Sequence, residues 1–435
     1  MTETINNKKS VMRYLKDTTA ATAIAFALVI PVVVSSAGLA VDMASAYMVK
    51  ERLSHAVDAA ALAAAASATT TTDVNAKVNQ FFYMNYPPEK IGATYDLTVT
   101  QDGDNISVSA RADYNTTFGR LMGVNVISVD ENASVTREVL GLEVAMVLDV
   151  TGSMNTNNNI AALRTAATNF LNIMCRGVNC PSLVKIGIVP FATAVNVGPY
   201  GLGKTPANTT YDTAFVNNPS NIAFNQSQNN RWWGCVLARS SPQDTQNSTT
   251  GWTWNMYRNT AVSNPNTNCN KSYILPLTNS KSTIQTKING LQASGNTLSN
   301  LGMVWGYRVL SPEFPFREGA AWDDQETRKV AILMTDGDNN IGGTNDYSGY
   351  GQWNTHRLTD NDLDVKLSTT CTNMKNDGIT VYTVIFTSAI SQATKDRFRA
   401  CASDPSKYYY APSQANLITT FEQISRELAN IHLTE

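Results

Sequence analysis

The sequence has 435 residues, well beyond the usual domain size of about 100 to 150 residues, so more than one module is expected. Charged residues make up 16% and apolar residues 43% of the chain, a composition that excludes a disordered protein rich in charge. Lys and Arg number 33 against 35 Asp and Glu, and without a basic excess we expect no nucleic-acid partner. The three histidines, His55, His356 and His432, lie far apart, which gives no support to a histidine-rich zinc site.

An uncharged segment near the N-terminus, residues 18–41, contains an apolar run from Ile24 to Val34 and is long enough to span a bilayer, which needs about 20 residues. Basic residues are more frequent before it than after it: Lys8, Lys9, Arg13 and Lys16 precede it, and Lys50 and Arg52 follow it. This bias predicts a single-pass membrane protein with a cytoplasmic N-terminus and the bulk of the chain periplasmic or extracellular, and the expected location is the inner membrane. A cleavable signal peptide, cut near Gly38 and Ala40, is the alternative, and in both cases residues 42–435 lie outside the cytoplasm.

Residues 42–72 are predicted to form an Ala-rich helical stalk. Val49, Leu53 and Val57 recur at helical spacing, and the helix is expected to end near Ala68. Its many small residues allow close packing against another helix, while a spacer without a partner is the alternative.

A small α+β module is predicted for residues 73–140. Apolar residues alternate with polar ones from Tyr95 to Tyr114 around a turn at residues 102–105, which predicts a hairpin. A third alternating run from Ile127 to Val135 is expected to join it, after a short helical turn at residues 118–122. No residue of this module suggests chemistry.

From Glu143 onward, short apolar strands alternate with amphipathic helices, which is the pattern of a mainly parallel sheet covered on both faces. The predicted strands are Val144–Leu148, Val184–Val189, Val330–Met334 and Ile379–Phe386. The predicted helices are Ile160–Met174, Ile284–Leu291, Leu298–Leu310, Leu363–Met374 and Leu417–Leu428. Residues 141–435 are therefore predicted to form a doubly wound α/β domain. At the other end of the chain, residues 1–17, which precede the predicted anchor, are expected to form a cytoplasmic tail.

A long polar insertion, residues 196–272, interrupts this domain; it is rich in Asn and holds Trp232, Trp233, Trp252 and Trp254. So long an irregular segment inside a compact domain is usually functional or mobile. The tryptophans are either an exposed recognition surface or, as the favoured interpretation, the small core of a disulfide-tied insertion.

All six cysteines follow the predicted anchor, and an even number suits disulfides in an oxidising compartment. Many connectivities are open to six cysteines, and we predict the nearest-neighbour one. The predicted pairs are Cys175 with Cys180, Cys235 with Cys269 and Cys371 with Cys401. Buried free thiols are the alternative.

The strongest chemical signal, Asp149-Val150-Thr151-Gly152-Ser153, follows the first strand of the α/β domain. Ligands of open α/β sheets bind at the carboxyl ends of the strands. The carboxylate and the two hydroxyls recur at every second residue of one turn, so their oxygens can converge on one point while Gly152 lets the backbone bend closely. Such oxygen-rich shells suit hard divalent cations.

Further oxygen ligands are expected from Asp336, directly after a buried strand, and from Thr297, in the loop before a helix. Taken singly, an aspartate such as Asp336 is more often a turn residue, and a threonine such as Thr297 is more often a helix cap. Asp338, next to this turn, is expected to be a solvated turn residue. Because Asp336 and Thr297 occur together with the Asp149 motif and in this order along the chain, the sequence favours a site for Mg²⁺, with Mn²⁺ or Ca²⁺ as alternatives. The predicted metal ligands are Asp149, Thr151, Ser153, Thr297 and Asp336.

These segments resemble the metal-ion-dependent adhesion site of von Willebrand factor A domains, whose signature is Asp-x-Ser-x-Ser plus a distant Thr and Asp. Thr151 replaces the first Ser and keeps the hydroxyl. The resemblance covers about residues 142–430. It implies the fold of that family and a bound cation that keeps one coordination position open for a carboxylate of a partner protein.

The front of the chain resembles the TadE/TadG-like proteins of Flp pilus assembly, through the segments Ala25–Pro31, Gly38–Asp42 and Leu53–Ala61. Such an anchor joined to a von Willebrand factor A domain is the TadG-like arrangement. Together, the resemblances imply a membrane-anchored protein of pilus assembly or surface adhesion, whose partner is an acidic group on a pilus or envelope component. The alternative is a structural envelope component in which the metal only stabilises a loop.

No enzymatic activity is expected. Thr151 stands where a phosphoryl-transfer aspartate loop would carry its general acid, and a hydroxyl cannot supply that function. The sequence also lacks the Gly-x-Ser-x-Gly elbow of Ser/His/Asp hydrolases.

Overall fold

A computed structural model describes residues 18–67, 71–87, 92–102, 105–136, 140–343 and 346–431. The chain divides into two compact units, residues 1–138 and 139–435. The predicted cytoplasmic tail, with its four basic residues, and His432 lie outside the described residues.

The first unit combines two helices with a three-stranded antiparallel sheet, in the order β1-β2-β3. Its elements are α1 (Thr18–Ser67), α2 (Thr71–Asn85), β1 (Ala93–Asp102), β2 (Asn105–Asn115) and β3 (Val126–Thr136), with a 3-10 turn at Gly119–Met122 between β2 and β3. The predicted hairpin is thus formed by β1 and β2. Part of its turn, residues 103 and 104, lies outside the described residues.

Helix α1 has two parts with different surroundings. It contains a stretch, Thr22–Ala65, that is long and apolar enough to cross a membrane, and the side chains from Ile24 to Val34 are exposed. Further along, one face is buried in the core of the unit, against α2 and β2; this face carries Val49, Leu53, Ala56, Val57, Ala60 and Ala64. The Ala-rich helix predicted as a stalk is therefore part of the small module, because its short side chains let α2 and the sheet approach closely.

The second unit is a mixed α/β domain. Its strands are β4 (Gly141–Asp149), β5 (Val184–Phe191), β6 (Val195–Asn196), β7 (Val216–Asn217), β8 (Cys235–Val236), β9 (Trp254–Asn255), β10 (Leu275–Thr278), β11 (Thr327–Thr335), β12 (Tyr347–Ser348), β13 (Gly351–Gln352), β14 (Thr380–Ile385) and β15 (Tyr408–Tyr410). Its helices are α3 (Asn159–Met174), α4 (Lys281–Asn289), α5 (Ser299–Leu310), α6 (Trp353–His356), α7 (Asp360–Asn376), α8 (Gln392–Cys401) and α9 (Gln414–Ile431).

The central sheet of this unit has the order β15-β14-β11-β4-β5-β6-β8, with β10 also paired to β5. Strands β15, β14, β11, β4 and β5 are parallel, whereas β10 and β6 run antiparallel to β5. All strands and helices predicted for this domain are present, with ends shifted by a few residues. Helix α8 was not predicted because it is strongly polar, and the sheet strands β6, β8, β10 and β15 were not predicted because each has only two to four residues.

Alternate residues of β4 face the two sides of the sheet, and each side carries helices. Ala145 and Val147 pack with residues of α5 and α7, while Met146 packs with residues of α3 and α9. Every side chain of β4 is buried, as expected for the centre of a doubly covered parallel sheet.

The polar insertion is packed onto the domain rather than extended from it. Trp232 and Trp254 are fully buried and join the core beneath α5, while Trp233 and Trp252 are half-buried. The side chain of Asn196 donates to the carbonyls of Trp233 (2.9 Å) and Asn270 (2.7 Å). The favoured interpretation is therefore corrected in part: the tryptophans are packed rather than exposed, but Trp232 and Trp254 belong to the core of the domain, and only Trp233 packs on the small cluster around the Cys235–Cys269 disulfide.

The predicted nearest-neighbour disulfides are confirmed: Cys175 bonds to Cys180, Cys235 to Cys269 and Cys371 to Cys401. All six cysteines lie within the described residues, and none of them is free. The pairing excludes the alternative of buried free thiols.

The disulfides are expected to contribute unequally to stability. Replacing Cys235 and Cys269, which are 34 residues apart, by Ala should lower the free energy of unfolding by about 4 kcal/mol, because a long loop of the unfolded chain loses its restraint. The same change at Cys175 and Cys180, five residues apart, should cost only about 2 kcal/mol. Urea unfolding of both variants measures the difference, and equal losses would contradict the expectation.

Candidate metal site

The candidate site lies at the carboxyl edge of the central sheet, where β4 and β11 are parallel neighbours. Their pairing sets Leu148 opposite Met334, so Asp149 and Thr335 emerge at the same level. Loops that leave parallel strands at one edge converge there. For this reason the Asp149 and Asp336 motifs, which are far apart in sequence, meet in space.

Asp149 is fully buried and accepts hydrogen bonds on both carboxylate oxygens. The Thr151 N–H donates to Oδ1 (2.8 Å), and the Thr335 hydroxyl donates to Oδ2 (2.6 Å). The Asp336 N–H lies 3.4 Å from Oδ2 and adds a weaker bond. A buried carboxylate requires such donors because burial removes its hydration. These bonds fix the Asp149 side chain and join the first loop of the site to the loop after β11.

The hydroxyls of the first loop extend the cluster toward Asp336. Thr151 Oγ1 and Ser153 Oγ are 2.8 Å apart, and the Ser153 hydroxyl donates to Asp336 Oδ1 at 2.6 Å. Adjacent oxygens around an octahedral Mg²⁺ are separated by about 3 Å, since each lies about 2.1 Å from the metal. The three oxygens therefore have a spacing that a single cation could share.

Thr297 lies in a loop that is hydrogen-bonded to the other two loops of the site. The Gly152 N–H donates to the Gly295 carbonyl (2.8 Å), and the Asn340 N–H donates to the Thr297 carbonyl (2.8 Å). Gly295 has a φ of +88°, and a Cβ there would approach Thr193 Oγ1 to 2.4 Å, so this turn requires glycine. Among the described hydrogen bonds of the site, none involves the Thr297 hydroxyl. Hydrogen bonds thus link four of the predicted ligands, Asp149, Thr151, Ser153 and Asp336, in one chain. The fifth, Thr297, lies in the adjacent loop.

The electrostatics of the site are dominated by two neighbouring carboxyl groups. Burial raises the pKa of Asp149, and burial together with the charge of Asp149 raises the pKa of Asp336 to about 7. Within the part of the chain that the structure describes, no Lys or Arg forms an ion pair with either group. A cation between them would offset both the lost hydration and the mutual repulsion, so the residues present fit a divalent ion.

The site has a buried base and an exposed rim. Asp149 and Thr151 are buried, whereas Ser153 is exposed and Asp336 is half-buried. Among the described residues, no group of three His, Cys, Asp or Glu side chains is placed to hold a metal, so any site here depends on hydroxyl oxygens. The rim leaves the cluster accessible to a ligand from solvent.

Two residues that support the site, Thr335 and Asn270, were not predicted from the sequence. Thr335 donates to Asp149, and its only signal was a hydroxyl at the end of a buried strand, next to Asp336. Asn270, in the insertion, donates to the carbonyls of Val150 (3.1 Å) and Gln292 (2.7 Å), and nothing in its local sequence indicated this contact. Asp338 is exposed and accepts from the Thr394 hydroxyl, away from the hydrogen-bond chain of the site.

Residues 20–67 match the family of putative Flp pilus-assembly TadE/G-like proteins, which confirms the resemblance predicted for the N-terminal segment. No curated protein matches the chain.

Several solved structures are distantly similar. The vWF domain of the type V pili tip protein Mfa5 from Porphyromonas gingivalis is 11% identical, with 68% of this chain and 97% of that chain covered and a TM-score of 0.40. The pilus adhesin SpaC from Lactobacillus rhamnosus GG is 13% identical, with coverages of 78% and 34% and a TM-score of 0.38. Proximal thread matrix protein 1 from the mussel byssus, solved with a zinc occupied MIDAS motif, is 13% identical, with coverages of 67% and 46% and a TM-score of 0.35.

This chain therefore spans about a third of the length of the pilus adhesin and less than half of the byssus protein. At TM-scores of 0.40 and below, these similarities assign neither a ligand nor a partner to it.

The Thr335 hydroxyl should matter for metal affinity even though it is not a predicted ligand. We expect Thr335→Val to weaken Mg²⁺ binding about 10- to 100-fold, because the orientation of the Asp149 carboxylate depends on this donor. Isothermal titration calorimetry with MgCl₂ measures the change. Thr383→Val is the matched control, since it removes a buried hydroxyl from the neighbouring strand β14 that bonds to the Phe398 carbonyl. Equal Mg²⁺ affinity of the Thr335→Val and Thr383→Val variants would show that Thr335 does not contribute to metal binding.

Proposed function

We propose that this chain is a membrane-anchored, pilus-associated protein that binds a carboxylate of a protein partner through a divalent cation. The observation that supports it best is the convergence of Asp149, Thr151, Ser153 and Asp336 within hydrogen-bond distance at the ligand-binding edge of the sheet. In this proposal residues 141–435, with the insertion at 196–272, form a von Willebrand factor A-type domain.

The proposed ligands are Asp149, Thr151, Ser153, Thr297 and Asp336, with Mg²⁺ favoured and Mn²⁺ or Ca²⁺ as alternatives. When bound, the cation supplies a positive, Lewis-acidic centre. Two carboxylates balance a divalent charge and the hydroxyls add none, so an anionic group from a partner would meet a neutral, Lewis-acidic site rather than a negatively charged one. The exposed position of Ser153 supports access from solvent. This chemistry requires binding and no turnover, in agreement with the expectation that the protein is not an enzyme.

The proposed location follows from the first unit. Residues 20–67 match the TadE/G-like family, and α1 contains a stretch that is long and apolar enough to cross a membrane. The charge bias of the sequence favours a cytoplasmic N-terminus and a periplasmic or extracellular bulk, and the match to the TadE/G-like family supports the inner membrane as the location of the anchor. The three disulfides support an oxidising compartment for the second unit. A pilus or envelope component is therefore the proposed partner.

A structural function is the second candidate, and the bonds of Asn270 favour it. This side chain links the insertion to Val150 and Ser294, in two loops of the site, so a cation there could serve mainly to hold the insertion in place. In that case the metal would raise the thermal stability of the protein without changing its affinity for a partner.

Binding of the full chain in lipid nanodiscs to purified pilus filaments tests the proposal. We expect Asp336→Asn, like removal of Mg²⁺ by EDTA, to weaken binding by about tenfold or more, because the open site loses its cation. Asp338→Asn is the matched control, since Asp338 is an exposed carboxylate in the same loop outside the hydrogen-bond chain.

Equal affinity under all of these conditions would contradict metal-mediated binding. The melting temperatures of the unchanged protein and of Asp336→Asn are then compared with and without Mg²⁺. A rise with Mg²⁺ in the unchanged protein alone would support the structural function in place of metal-mediated binding. Asp336 is preferred to Asp149 for this test because loss of the buried Asp149 would also destabilise the sheet edge.

A further inference from the structure

The turn between β2 and β3, residues 116–126, exposes an unusual number of apolar side chains. The exposed fractions are 75% for Leu121, 59% for Met122, 46% for Val124 and 42% for Val126. Residues 114–128 contain no acidic side chain, and their only basic one is Arg120, which is exposed. Contiguous apolar surface of this kind marks an interaction site in a soluble module. We call residues 116–126 the β2–β3 turn.

The β2–β3 turn is bound to helix α1 through one buried carboxylate. Asp42 accepts the backbone N–H groups of Thr117 (2.8 Å), Phe118 (2.8 Å) and Gly119 (2.7 Å). The Tyr114 hydroxyl donates to it as well, at 3.2 Å. Hydrogen bonds to a carboxylate are stronger than neutral ones, so this set fixes where along α1 the turn lies.

The turn extends from Asp42 toward the N-terminal, apolar part of the helix. Phe118 packs on Gly38, where an added Cβ would lie 2.4 Å from the phenyl ring. Gly38 is one helical turn before Asp42, which is about 6 Å along the axis at about 1.5 Å per residue. It belongs to the uncharged segment 18–41, and the neighbouring Val34 and Val41 are 49% and 54% exposed. The β2–β3 turn is therefore level with the end of the predicted membrane span.

We propose that the β2–β3 turn is a second membrane contact, which enters the lipid headgroup and acyl-chain boundary of the leaflet facing the bulk of the chain. Leu121, Met122 and Val124 supply the apolar contact, and Arg120 reaches the lipid phosphates. Interfacial elements bury apolar groups about 5–10 Å into this boundary, and long basic side chains extend back to the phosphates. Lipid is the occupant because this surface continues the exposed apolar surface of α1. The inference rests on the membrane anchor of the proposed function.

Depth measurements on the full chain in lipid nanodiscs that hold one copy test this proposal. A nitroxide spin label is attached at Met122→Cys, at Val33→Cys within the apolar run of α1, or at Asn132→Cys on β3. All six native cysteines form disulfides, so the introduced thiol is the one that reacts. Asn132 is exposed and about 20 Å along β3 from the turn, at about 3.3 Å per residue, which makes it the aqueous control. Collision rates with oxygen and with a water-soluble nickel chelate are then measured.

The expected result is that labels at positions 33 and 122 collide several-fold more with oxygen than with the nickel chelate, while the label at 132 shows the opposite preference. Adding Asp42→Ala to the Met122→Cys variant should raise its nickel collisions several-fold, because the turn loses its attachment to α1.

A lipid-exposed label at 33 with a water-exposed label at 122 would overturn the second contact and leave the anchor intact. A water-exposed label at 33 would remove the anchor and the proposal together. Protection of position 122 from both reagents, or protection found only in nanodiscs with two copies, would assign the turn to a protein contact and also overturn the proposal.

Discussion

The buried carboxylate of Asp149 is the constraint on which the organisation of the sheet edge depends. Its position at the end of the central strand β4 removes it from water, and donors from Thr151 and Thr335 must replace that hydration. One donor lies in the loop after β4 and the other at the end of β11, so satisfying one carboxylate brings these two segments together. The remaining oxygens of the site, on Ser153 and Asp336, then lie within hydrogen-bond distance of each other.

The insertion supports the same edge with amide side chains instead of charges. An Asn side chain can donate and accept at once, and Asn270 uses both properties: its amide nitrogen donates to Val150 and Gln292, and its oxygen accepts from the Ser272 N–H (2.7 Å). Buried charges at such positions would require partners of opposite sign. The low charge content of the sequence therefore agrees with neutral hydrogen bonds at this edge, while elsewhere the insertion also forms ion pairs, such as Asp244 with Lys366 at 2.6 Å.

Most of the sheet and its helices could be predicted, because apolar periodicity depends on neighbours in sequence. The predicted ligands Asp149, Thr151 and Ser153 likewise form one local motif. Thr335 and Asn270 could not be found in this way, since their importance depends on contacts between distant segments. The prediction that residues 42–72 form a stalk was wrong for the same reason. The spacing of apolar residues shows that one face of the helix is apolar, but it does not show that α2 and β2 cover this face.

The two units use buried aspartates in different ways, and the difference supports the placement of the proposed metal site in the second unit. Asp42 accepts three backbone N–H groups and a tyrosine hydroxyl, with distances of 2.7 to 3.2 Å. This shell satisfies a single charge with protein donors alone. Asp149 has one close backbone donor and lies beside a second carboxyl group, Asp336, whose pKa its charge helps to raise. The described donors around Asp149 and Asp336 include no Lys or Arg, so two adjacent negative charges there would lack a balancing charge that a divalent cation could supply, which supports the proposed ion binding at the sheet edge, whereas the Asp42 contact fixes structure.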